Sequence, residues 1–170
     1  MLKPAILYKE EIERKFAEIM YTEDAYYYMG YSHANILPEI KPGEGYYQYA
    51  VLDGDEVVGF LSYYINNYND SAERFGMISF KKGNLTLTFD AYKLIKDVVK
   101  KHRRVEWHCV GGNPVAKVYD KLCEKYNGYK SVHHKCTKDL NGNYRDSYTY
   151  EILNHGLGDW DKIAKKWSYS

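Results

Sequence analysis

The chain has 170 residues, 45% of them hydrophobic, and sets 24 Lys and Arg against 23 Asp and Glu for a net charge of +1. That balance gives no support to a protein that coats nucleic acid or to an acidic disordered tail, and the apolar content reads as globular. No apolar run approaches the roughly 20 residues that span a bilayer. The start, from Met1 to Phe16, lacks an apolar stretch ending in small residues at a cleavage site. One cytoplasmic domain over residues 1–170 is expected, with no membrane or nucleic-acid partner.

Lys9 to Met20 carries Ile12, Phe16, Ile19 and Met20 at helical spacing. A tyrosine-rich stretch from Tyr21 to His33 leaves room for a second helix capped by Thr22, although its spacing is uneven. Pro38, Pro42, Gly43 and Gly45 mark an irregular connection. Asp53-Gly54 then separates two strand-like runs, as in a tight hairpin, and the arm from Glu56 to Ile65 is apolar enough to be covered on both faces. A polar turn leads to a third strand from Arg74 to Phe80.

After that strand come Lys81-Lys82-Gly83-Asn84 and a helix with Leu87, Ala91, Leu94, Ile95, Val98 and Val99 on one face. Val105 to Val110 is a short strand closed by Gly111-Gly112. Asn113 and Pro114 open a helix from Val115 to about Tyr126, which stops at Asn127-Gly128. Two last strands, Tyr129 to Lys138 and Tyr144 to Leu153, join through Asn141-Gly142, and Asp159 caps a final short helix with Trp160 and Trp167. Meandering strands followed by strand–helix–strand imply a mixed α/β fold.

Three places can hold chemistry. The loop from Lys81 to Thr86, with Gly83, Asn84 and Leu85, and the helix that begins near Thr86 to Thr88 offer free backbone N–H groups and positive charge to an anion, or form a solvated turn. On the strand from Arg104 to Val110, alternation puts Glu106 and His108 on one face. They can act as a general base or serve as an ion pair and a packed imidazole. Tyr119, in the following helix, is either a proton donor to a leaving thiolate or a packed aromatic. Cys109, Cys123 and Cys136 cannot all pair, so reduced, buried thiols are expected. Their spacing with His108, His133 and His134 matches no common zinc pattern, and no metal is expected.

From Tyr46 to Leu153 the order of elements resembles the GNAT superfamily of acyl-CoA-dependent N-acetyltransferases. The string VEWHCVGGNPVAKVYDKLCEKYNGYK is similar to the family's strand, N-x-x-A, helical Tyr and Gly-aromatic sequence, here Asn113, Ala116, Tyr119 and Gly128-Tyr129. Gly142, Asp146 and Tyr150 resemble the closing hairpin of the branch that acetylates protein N-terminal amines and small amines. The loop FKKGNLTLTF departs from the family's Q/R-x-x-G-x-G/A, and Tyr119 lies one residue nearer to Asn113 than is usual.

The resemblance implies a mostly antiparallel sheet flanked by helices on both faces, with acetyl-CoA as acyl donor and an amine of a small molecule or peptide as acceptor. Acetyl-CoA would enter between the third strand and the Val105–Val110 strand. Ile78, Ser79 and Phe80 would hold its pantetheine arm. Lys81, Lys82, Gly83, Asn84, Leu85 and Thr86 would hold its pyrophosphate, and Asn113 and Ala116 would lie near the pantetheine. Glu106 or His108 would take the amine proton, Tyr119 would protonate the thiolate, and the chain would act as a monomer or homodimer. The thinner loop also fits a non-catalytic module of the same fold that binds a ligand or protein. A different α/β protein that stacks carbohydrate or bases on its 20 tyrosines is a third reading.

Overall fold

A computed structural model of the protein describes residues 1–31, 39–41, 43–139 and 141–154. Among the described residues, seven strands form one sheet in the order β1-β2-β3-β4-β5-β7-β6. These are β1 (Leu2–Pro4), β2 (Tyr46–Asp53), β3 (Glu56–Asn66), β4 (Ser71–Ser79), β5 (Arg104–Val110), β6 (Tyr129–Lys138) and β7 (Tyr144–Leu153). Every neighbouring pair is antiparallel except β4 with β5. A parallel pair needs a crossover, and α2 (Leu85–Lys101) supplies it.

The helices divide between the two faces as the apolar spacing expects. α1 (Lys9–Met20) buries Ile12 and Phe16 against Ala50, Leu52, Val57, Phe60 and Ile78. The alternate residues Val51, Val58 and Leu61 meet Leu87 and Ala91 of α2 on the other face. A side chain at Gly59 would come within 2.7 Å of Leu87 and 2.9 Å of the Ile78 carbonyl, so its absence lets α2 seat against β3. α3 (Ala116–Lys125) shares the α2 face, with Tyr119, Leu122 and Cys123 buried against Val105, Trp107 and Cys109.

Trp107 anchors that side. It stacks on Tyr150 at 5.5 Å and meets the edge of Tyr119 at 5.7 Å. Such ring pairs add about 0.5–1.5 kcal/mol each beyond the area they bury. Tyr150 is fully buried, and its hydroxyl donates to Asp120 on α3 at 2.9 Å. Asp120 also pairs with Lys130 of β6 at 2.7 Å, so one carboxylate ties helix and closing hairpin together.

Some local expectations need correction. The stretch after α1 forms a 3-10 helix, Glu23–Tyr31, and the Thr22 hydroxyl closes α1 by donating to the Ile19 carbonyl rather than capping the 3-10 helix. β1 has no counterpart among the strands expected from sequence. β4 begins at Ser71, ahead of the expected Arg74. Cys109 and Cys123 are buried free thiols, burial pushing Cys109 up to about 11, but Cys136 is exposed because its strand lies at the sheet edge. The final helix expected from Asp159 lies outside the described residues.

Lys130, and then Tyr150, hold the Asp120 carboxyl below its ordinary value despite some burial. A depressed carboxylate stabilises the fold above its unfolded pKa, about 3.9, and the contribution is lost as pH falls through the folded value. Asp120→Asn should therefore lower the melting temperature at pH 7 and flatten its decline between pH 5 and pH 3. Parallel melting curves for the two proteins across that range would contradict the assignment.

Candidate functional site

The parallel strands part almost at once. β4 pairs with β5 only at Ser71↔Arg104 and Ala72↔Val105. Asp70 fastens this closed end, its carboxylate meeting His102 Nδ1 at 3.1 Å and the Arg103 N–H at 3.2 Å. Directly beyond, β4 carries a bulge: the register to β3 passes from Glu73↔Tyr64 to Gly76↔Ser62, leaving Arg74 and Phe75 opposite the single residue Tyr63. Arg74 sits at φ +56°. A bulge adds local twist and re-aims the strand, which here turns β4 away from β5.

Backbone direction at the open end decides which groups face the splay. Phe80 donates its N–H to Val58 of β3 at 3.0 Å, so it is turned away. The Ser79 N–H, one residue earlier, points the opposite way by strand alternation and meets the Tyr28 hydroxyl at 3.3 Å. Ile78 is fully buried in the α1-side core.

The loop after Phe80 turns at Gly83 with φ +71°, a left-handed conformation natural to glycine. Asn84 caps α2, its Oδ1 accepting from the Leu87 N–H at 2.9 Å, while its amide donates to Asp53. Leu85 is exposed on the first turn, with Thr86 beside it. Both lysines are engaged: Lys81 pairs with Glu56 and Lys82 with Asp24, each at 2.8 Å. Each acidic partner raises its lysine above the ordinary value. The loop thus offers backbone donors and two cations whose charge is partly neutralised.

Across the splay, Glu106 and His108 lie together on the face of β5 opposite Trp107. His108 Nε2 is 3.3 Å from Glu106 Oε1, and Arg104 bridges Glu106 to Glu151 of β7. His108 Nδ1 lies 3.0 Å from the Thr149 hydroxyl, itself 3.3 Å from His133 Nε2. Tyr119 lies on the other side of β5, 8% exposed, against Trp107 and Tyr150. The structure therefore gathers Glu106 and His108 but separates them from Tyr119 by the thickness of the sheet. Asn113 does not cap α3 directly. Its Oδ1 accepts from the Val115 N–H and its carbonyl from the Ala116 N–H, forming a turn ahead of the helix.

Sequence reasoning did not bring Asp24, Tyr27 and Tyr28 to the two arms of the splay, nor Thr149 and His133 to His108. Thr149 and His133 were within reach of strand alternation, because they share the face of Glu106 and His108 once β5, β7 and β6 are set in register. The other three lie in a 3-10 helix whose placement no periodicity shows. An open groove of about 240 Å³ lies between α1 and Phe80, but it is lined by Lys15, Glu18, Ile19, Thr22 and Phe80, with no β5 residue.

No protein-family model matches the chain, and no curated protein matches it by sequence. Solved structures do share its fold. A GCN5-related N-acetyltransferase from Brucella melitensis aligns with a TM-score of 0.58 at 16% identity, over 98% of this chain and 80% of its own. A chimera of the spermidine N-acetyltransferase SpeG from Vibrio cholerae and hSSAT aligns at 0.59 and 17% identity, over 95% of this chain and 99% of its own. A probable GNAT-family acetyltransferase from Chromobacterium violaceum aligns at 0.51 and 22% identity, over 70% of this chain and only 63% of its own length. The fold is that of the GNAT N-acetyltransferases.

A methyl group placed on Gly83 would meet no atom within 4 Å outside its chain neighbours, so only the backbone conformation resists substitution. Gly83→Ala should cost about 1–2 kcal/mol, lowering the melting temperature by a few degrees. An unchanged melting temperature would show that the loop does not hold this turn.

Proposed function

We propose that the chain is an acetyl-CoA-dependent N-acetyltransferase that transfers an acetyl group directly to a primary amine of a small molecule or peptide. The observation that carries this reading is the splay itself. β4 and β5 diverge after two residue pairs, the Ser79 N–H faces the gap, and the N-terminus of α2 stands beyond its open end. An extended amide-bearing arm fits such a gap as an added strand, and a pyrophosphate fits a helix start.

In this reading Ser79 holds the pantetheine arm through its N–H, with Phe80 beside it and Ile78 backing both from the α1-side core. Lys81 to Thr86 hold the pyrophosphate, Lys81 and Lys82 exchanging carboxylate partners for phosphate. Asn113 and Ala116 border the arm from the β5 side. A thioester lying in the gap has Glu106 and His108 toward one face and Tyr119 toward the other, which suits opposite proton transfers. Glu106 or His108 takes the proton from the acceptor ammonium, and the free amine forms its bond to the thioester carbon. As the carbon–sulfur bond breaks, Tyr119 gives its phenolic proton to the thiolate, and the second proton shed by the attacking nitrogen passes to solvent, from which the Tyr119 phenolate is reprotonated. The transfer uses no metal.

Two measurements test this. Acetyl-CoA at 100 times its dissociation constant should stabilise the protein by about 2.7 kcal/mol, raising the melting temperature by about 5–11 °C. No shift at millimolar ligand would overturn the reading. Given an acceptor from an amine panel, Glu106→Gln and Tyr119→Phe should each lower kcat about 100-fold or more while leaving acetyl-CoA affinity nearly unchanged. Full activity in either variant would remove that residue from the mechanism.

A further inference from the structure

The 3-10 helix Glu23–Tyr31 crosses the mouth of the splay and touches both of its arms. On the β4 side the Tyr28 hydroxyl accepts from the Ser79 N–H, and Asp24 pairs with Lys82. On the β5 side the Tyr27 hydroxyl donates to the Gly112 carbonyl at 3.1 Å. Tyr28 and Phe80 both pack against the α1-side core. Two of the three partners, Ser79 and Lys82, are groups that acyl-CoA needs in the proposed function, and the inference rests on that reading.

We infer that this segment is a latch that occupies the acyl-CoA cleft and is displaced when the ligand enters. The exchange is chemically matched. A pantetheine amide carbonyl replaces the Tyr28 oxygen as acceptor for the Ser79 N–H, and a phosphate oxygen replaces the Asp24 carboxylate on Lys82. Two independent features make the segment easy to lift. Nine residues is long for a 3-10 helix, whose hydrogen bonds are poorer than those of an α-helix. Tyr26 within it is 6% exposed, and its hydroxyl finds no partner among the described residues, so opening returns that group to water. The latch makes ligand affinity depend on an opening equilibrium, because only the open fraction binds.

The test compares CoA affinity, by calorimetry, in the wild-type protein and in the uncharged variants Tyr28→Phe and Tyr27→Phe/Tyr28→Phe. These keep the rings and change no charge, so simple attraction of an anionic ligand is unaltered. Each lost hydroxyl contact should tighten CoA binding between about twofold and tenfold, and the double variant should bind about tenfold tighter. In the wild-type protein, saturating CoA should speed amide hydrogen exchange across residues 23–28. Equal affinities, or slower exchange over that segment with CoA bound, would overturn the latch while leaving the acyl-CoA site in place. CoA binding by none of the proteins would overturn both. Binding by the double variant alone would support both.

Discussion

The architecture depends on how little holds β4 to β5. Two residue pairs join them, and the Asp70 carboxylate and carbonyl fasten the vertex to His102, Arg103 and Arg104. Everything beyond is open by construction. Were the pairing to continue, backbone groups at Ser79 would be consumed by the ladder and no extended ligand could enter. The bulge at Arg74 and Phe75 prevents that, at the cost of a non-glycine residue in a left-handed conformation. Strain at this position is the counterpart of the gap it produces.

The rest of the molecule braces the two diverging arms separately. β4 is held from the β1–β3 side, where α1 and α2 sandwich an apolar meander. β5 is held by β7, by the Trp107–Tyr150–Tyr119 cluster and by the Asp120 link to Tyr150 and Lys130. α2 spans both bodies, its first half on Leu61 and its second on Val105. A rigid gap with independently supported walls needs no closed cavity to define a ligand path. The 3-10 helix Glu23–Tyr31 bridges the mouth of that gap, touching both arms.

Much of this was legible in the chain. The bounds of α1, β6 and β7 follow from apolar spacing and turn residues, and the Asp53-Gly54 hairpin forms where strand runs meet a turn pair. Alternation along β5 correctly placed Glu106 and His108 opposite Trp107. The features that stayed hidden did so for physical reasons. A bulge changes register without changing composition, so Arg74 looked like an ordinary strand residue. β1 is three residues long and, among the described residues, paired only with β2, too short for any period. Tyr27 and Tyr28 find partners far along the chain, at Gly112 and Ser79, and long-range contacts leave no local pattern. The charges on Lys81 and Lys82 read as available in sequence, whereas folding gives each a carboxylate.

In the proposed function an acyl-CoA lies in the gap between β4 and β5 with its phosphates at the start of α2. Titration of the ¹⁵N-labelled protein with CoA tests it most directly, read as amide chemical-shift changes. The largest changes are expected at Ser79, Gly83, Asn84, Leu85 and Thr86, with Gly112 and Asn113 following on the facing arm. Changes confined to other surfaces, or none at saturating CoA, would contradict it.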